Sequence, residues 1–214
     1  MKNTGFIRII YAVVLVISLL GIIAVQGVKA AELQTTTFSD VQQGQWYVST
    51  IQWGISNNMI SGYADGTFKP NRTVTEAEFL AMLLRAFDPS LVSASKGHWA
   101  SPYYTRAKQL NYPVKSYTLL PGRNDIILRK QVAELISSTE GVHFSGDDAI
   151  RYLLAFGLAS GSDPAQMTVQ SFHGEQKLTR AEALQFVRNL YENGVGGLLE
   201  RPREATDPRD IPDF

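Results

Sequence analysis

The sequence contains no cysteine. That removes disulfides, a lipidated cysteine behind a leader, and thiolate metal sites, so the fold must rest on packing alone. It also lacks any imbalance of charge, because 20 basic residues meet 20 acidic ones. The broad positive face that nucleic-acid binding needs is therefore excluded. Histidine is scarce, and His98, His143 and His173 lie far apart with no paired metal-ligand spacing. No G-x-S-x-G nucleophile turn is present. Asp65 and Gly66 suggest a calcium loop, but Tyr63 and Ser61 stand where its earlier acids belong. No catalytic residue, metal site or cofactor is expected, and the chain does not read as an enzyme.

One long apolar run, Ile9 to Val25, follows Lys2 and Arg8 and precedes Val28 and Ala30. This is the pattern of an export signal over residues 1–30, cut ahead of Ala31. The run approaches the lower limit of a membrane-spanning helix, so an uncleaved anchor is the competing reading. Ser18, Gly21 and the small residues before Ala31 favour cleavage, which leaves no membrane segment and a slight acidic excess. An exported chain without cysteine fits a Gram-positive type of envelope.

The remainder is ordinary folding material, with 44% hydrophobic and 19% charged residues. Thr75 and Glu78 form a capping box ahead of a helix whose apolar face is Phe79, Leu80, Met82, Leu83, Ala86 and Phe87. The arrangement returns 104 residues later, with Thr179 and Glu182 as the box and Ala183, Leu184, Phe186, Val187, Leu190 and Tyr191 as the face. A middle copy begins at Leu128, with Gln131 in the glutamate position and Val132, Ala133, Leu135 and Ile136 as its face. Leucine cannot accept an amide hydrogen bond through its side chain, so this start should be weaker by about 1 kcal/mol.

Each copy carries an earlier helix. In the first it spans about Trp46 to Asn58, with Trp46, Ile51 and Ile55 turned inward. Gly44, Trp46, Ile51 and Asn58 find partners 53 residues on at Gly97, Trp99, Tyr104 and Asn111. In the third copy Asp147 or Asp148 is placed to cap a helix through Ile150, Tyr152, Leu153 and Phe156, and Ser160–Gly161 matches Ser61–Gly62. A period of about fifty residues marks a repeat protein. The expected boundaries are 31–88, 89–142 and 143–194, followed by a tail at 195–214. That tail combines prolines with alternating charges, so it is expected to be disordered. Its last residues, Ile211 to Phe214, offer a short recognition segment for a protein partner.

The first copy closely resembles an S-layer homology (SLH) repeat: F-S-D-V at 38–41, W-Y at 46–47, S-G-Y-A-D-G-T-F-K-P at 61–70 and V-T-E-A-E-F at 74–79. Three such repeats, over roughly 38 to 193, are the usual number in that family. The resemblance implies an all-α, three-pronged, pseudo-threefold domain around a central three-helix bundle. It also implies grooves between neighbouring prongs that bind secondary cell-wall polysaccharide, commonly pyruvylated, and so hold a secreted protein on the cell wall.

The family's T-R-A-E motif sits at the groove. Thr75, Glu78, Gln131, Thr179 and Glu182 at its capping positions are structural on physical grounds. Arg180 is different, because a cation just inside a helix start opposes the helix dipole and is better explained by an anion or a ligand. A guanidinium can hold a carboxylate with two hydrogen bonds, so Arg180 is the expected glycan contact. The second copy keeps Arg129 and adds Lys130, whereas Glu76 replaces the arginine in the first and would repel an acidic sugar. Trp46 and Trp99 are candidates to stack on a sugar, although large aromatics at a helix start more often pack inside. Asp40 either joins the groove or ends a turn. A second class stays open, in which degenerate repeats act as a structural or protein-interaction module without glycan.

Overall fold

The computed structural model describes residues 38–115, 117–160 and 167–214. The expected export signal lies outside the described residues, as does Gly161. Among the described residues there are seven α-helices and no β-strand: α1 (Val48–Ser56), α2 (Glu76–Phe87), α3 (Ser101–Gln109), α4 (Arg129–Thr139), α5 (Gly146–Ala155), α6 (Val169–Phe172) and α7 (Arg180–Asn193). The fold is all-α.

The three longest helices, α2, α4 and α7, begin directly after a short extended piece, with N-cap residues Thr75, Leu128 and Thr179. Thr73 pairs with Thr179, Thr75 with Ile126, and Leu128 with Lys177, so the three pieces meet in a closed circle. Backbone hydrogen bonds complete it: Val74 N to Leu178 O at 3.0 Å, Leu178 N to Ile127 O at 3.3 Å, and Ile127 N to Val74 O at 3.1 Å. Each amide in this ring has a carbonyl partner, so the apolar side chains of Val74, Ile127 and Leu178 can be wholly buried with no orphaned polar group.

The next amides extend the pattern. Glu76 N donates to Asp125 O, Arg129 N to Gln176 O, and Arg180 N to Arg72 O. These are helix-start donors that have no partner within their own helix, and the neighbouring segment supplies one. Both threonine starts also have a complete capping box, Thr75 with Glu78 and Thr179 with Glu182. Leu128 has half of one, its amide donating to Gln131 Oε1 at 2.9 Å. Arg129 N and Lys130 N borrow the carbonyls of Gln176 and Gly174, as Arg180 N and Ala181 N borrow those of Arg72 and Pro70, so what this start lacks is the side-chain acceptor a threonine supplies.

The shorter helices pack in the same rotation. α3 lies on α2, α5 on α4, and α1 closes the circle on α7. Close approach is built in at that last contact, where a Cβ on Gly54 would meet Leu184 methyls at 3.0 Å. The three also end alike, on Asn58, Asn111 and Gly157 with φ of 56°, 59° and 66°, the left-handed conformation that glycine and asparagine best tolerate. Nine of the twelve residues of α2 are buried, which makes it a core helix on nearly all sides. Each of Phe79, Leu80, Leu83 and Leu84 there contributes about 1.5–3 kcal/mol of apolar burial.

Three sequence expectations need correction. α1 starts after Trp46, which is 56% exposed rather than turned inward, while Ile51 does enter the core. α5 starts behind Ser145, leaving Asp147 and Asp148 in its first turn, where they favour the helix dipole without capping it. The tail is not disordered. It runs back over the domain through Leu199 N to Thr139 O, Arg201 N to Leu110 O and Thr206 N to His143 O, and it buries Ile211. Composition misled here because the groups that fix this segment belong to the domain: Tyr112 Oη and Asn111 Nδ2 donate to the carbonyls of Leu199 and Arg201.

Candidate functional site

The residue after each central N-cap reaches toward a neighbouring segment. Arg180 donates from Nη2 to Ser61 O at 2.8 Å, and its guanidinium lies 4.7 Å from the Phe68 ring centre and 5.0 Å from that of Tyr63. Arg129 donates from Nε to Phe172 O at 2.8 Å and from Nη1 to Glu182 Oε1 at 3.1 Å, over the rings of Phe172 and Phe186. Burial pushes both arginine pKa values down, yet a guanidinium starts so high that both stay charged at neutral pH. The fold thus answers the helix-dipole objection with carbonyls, ring faces and, for Arg129, the cap glutamate.

A cavity opens beside each of them. Around Arg180 it measures about 250 Å³ and is lined by Ser61, Gly62, Tyr63, Glu78, Arg85 and Trp99 among others. Around Arg129 it measures about 680 Å³ and is lined by Trp46, Ser160, His173, Glu182, Gln185 and Asn189 among others. The two share one chemistry: a guanidinium, a capping glutamate, and an exposed tryptophan from the segment that enters another helix. Trp46 and Trp99 are 56% and 36% exposed, so the packing role that helix-start aromatics usually have does not hold for them. Such a wall suits a polyhydroxylated ligand, which stacks its C–H face on an indole and hydrogen-bonds at its rim.

The remaining sequence candidates are placed elsewhere. Asp40 accepts Phe68 N at 2.8 Å and Lys69 N at 2.7 Å, clamping a turn in which Lys69 has φ of 58°. It is a turn residue. Lys130 pairs with Glu175 at 2.5 Å and lines neither cavity. Glu76 overturns the expected repulsion of a sugar, because it is 2% exposed and accepts Tyr104 Oη at 2.8 Å and Lys115 N at 2.9 Å. Burial raises its pKa, with these two hydrogen bonds opposing. Sequence reasoning missed Tyr63, which faces Arg180, Arg72 and Lys69, and His173, Gln185 and Arg85 in the cavity walls. Tyr63 was visible within S-G-Y; the others had no signal short of the fold.

No cluster of three or more metal-ligating side chains occurs among the described residues, and no described helix is long and apolar enough to cross a membrane.

Residues 37–80 match the S-layer homology domain. The SLH match covers that stretch of the chain. Its relatives include the Middle cell wall protein of Brevibacillus brevis, 30% identical over 127 residues, covering 57% of this chain and 12% of that protein. The Surface layer protein of Brevibacillus choshinensis is 31% identical over 88 residues, covering 40% and 7%. The Cellulosome-anchoring protein of Acetivibrio thermocellus is 26% identical over 100 residues, covering 42% and 22%. The chain thus spans less than a quarter of the length of each of these relatives.

Proposed function

We propose that residues 31–194 form three SLH repeats, at 31–88, 89–142 and 143–194, that hold the chain on the bacterial cell wall by binding secondary cell-wall polysaccharide in two inter-repeat grooves. The observation that carries this is the doubled arrangement of guanidinium, cap glutamate and exposed tryptophan at Arg180–Glu78–Trp99 and Arg129–Glu182–Trp46. The wall, surface-layer and anchoring names of the relatives support it. An acidic substituent such as a pyruvate ketal is the natural partner for either guanidinium, since each retains charge at the cavity wall.

The test is co-sedimentation of residues 31–214 with wall sacculi, before and after acid stripping of the polymer. Pelleting should be lost on stripping. Because Trp46 and Trp99 are exposed, Trp46→Ala and Trp99→Ala should each weaken pelleting about tenfold, with melting unchanged within a few degrees. Pelleting that survives stripping removes the glycan reading in favour of a structural or protein-interaction module.

A further inference from the structure

The third junction of the circle, bordered by the ends of α3 and α4 and the entry to α5, is built differently. Trp46 and Trp99 stand two residues ahead of α1 and α3, and the residue two ahead of α5 is Phe144, which is only 3% exposed. The arginine of the other junctions is replaced there by Glu76, which is turned onto Tyr104 and Lys115. Across this junction lies the tail. Leu199 is held between Thr139 O and Tyr112 Oη, Arg201 between Leu110 O and Asn111 Nδ2, and Thr206 pairs in both directions with His143. These partners come from the end of α3, the end of α4 and the entry to α5. The open cavity at Arg180 is walled by related places: the residues after α1, the middle rather than the end of α2, and Trp99 at the entry to α3.

We propose that this third junction is a peptide-binding groove and that residues 198–211 are its ligand, docked in cis as a strap that can leave. The proposal rests on the cyclic three-repeat reading, but not on the glycan. The groove recognises main chain. It takes the Leu199, Arg201, Pro202 and Thr206 backbone through Tyr112, Asn111 and His143, which is how an extended peptide is gripped. Glu76 fits the change of ligand, because removing the junction's cation removes its attraction for an acidic sugar. The strap buries little of itself: Ile211 is enclosed, whereas Glu200, Pro202, Arg203, Glu204 and Ala205 are exposed. A cavity of about 410 Å³ persists between it and Lys108, Gln109 and Asn111. Tethering supplies an effective concentration of about 1 mM, so a ligand that binds weakly in trans stays mostly docked in cis.

Hydrogen exchange on the full chain tests this. Segment 198–211 should exchange at least about tenfold more slowly than the same sequence as a free synthetic peptide, and faster than α2 and α7. Tyr112→Phe, which deletes one bond to Leu199 O and keeps the ring, should speed strap exchange about fivefold and leave α2 and α7 unchanged. Free peptide added at several millimolar should do the same in the wild type by competing for the groove. Free-peptide exchange rates in the wild type would overturn the proposal, as would protection that rises with protein concentration, which means docking on a second copy. Sacculus pelleting reads the glycan separately, so either reading can fail without the other.

Discussion

Glu76→Arg restores the arginine of the SLH motif, and sequence logic alone makes it a gain of function. The structure reverses that. Glu76 is buried and accepts Tyr104 Oη and the Lys115 amide, while the Arg123 guanidinium sits 4.1 Å from the Tyr104 ring centre. An arginine there leaves both donors without an acceptor, at about 1–3 kcal/mol each, and brings a second cation near Arg123. Swinging out to water escapes the like charge but not the orphaned donors, so the cost is at least about 2 kcal/mol. For a domain of this size each kcal/mol moves the melting temperature by about 2–4 °C, which gives a fall of at least about 4–8 °C. Differential scanning calorimetry of wild type and variant reads it, with sacculus pelleting measured below the lower melting temperature. A variant that melts with the wild type and pellets more strongly would refute the reasoning about this junction.

The same residue sets a pH dependence. Burial raises the Glu76 pKa, so its contribution is fully present below the ordinary glutamate value and is lost as pH rises through the raised one; Glu76→Gln should flatten that part of the stability curve measured by urea melts across pH 4–8. Thr179→Ala removes the acceptor for Glu182 N and should cost about 1 kcal/mol in urea denaturation, with pelleting retained in conditions where the variant is folded.

Local signals in the sequence were strong wherever backbone chemistry is local. The capping boxes at Thr75 and Thr179, the face of α2, that of α7 as far as Leu190 though not Tyr191, and the match of Asn58 with Asn111 all follow from spacing, because a cap or a left-handed helix end needs a particular residue at one place. The circle itself had no such signal. Thr73 with Thr179, and α1 with α7, are contacts across more than a hundred residues, and no periodicity encodes them. Exposure of Trp46 and Trp99 has no such signal for the same reason, since whether an aromatic faces a groove or a core depends on what the neighbouring segment places beside it. The order of the tail has no local signal because its partners lie just after α3, at the end of α4 and in the α4–α5 turn.

Glu76 looks like decay of a motif when it is read one position at a time, but the geometry argues that it belongs to a coherent alternative junction. At the open junctions the residue after the N-cap donates to a carbonyl, Arg180 to Ser61 and Arg129 to Phe172. At the closed one it accepts from an amide, Glu76 from Lys115, so the polarity of the contact is inverted while its place in the fold is kept. The inversion removes a cation from the wall, Phe144 removes the exposed indole, and the strap covers what remains. Together they make a junction covered by the chain's own backbone, with a cavity left beside Lys108 and Gln109. Two junctions stay open beside Arg180 and Arg129 while the third is covered by the chain's own backbone, and the division follows from which hydrogen-bonding partner each neighbour presents.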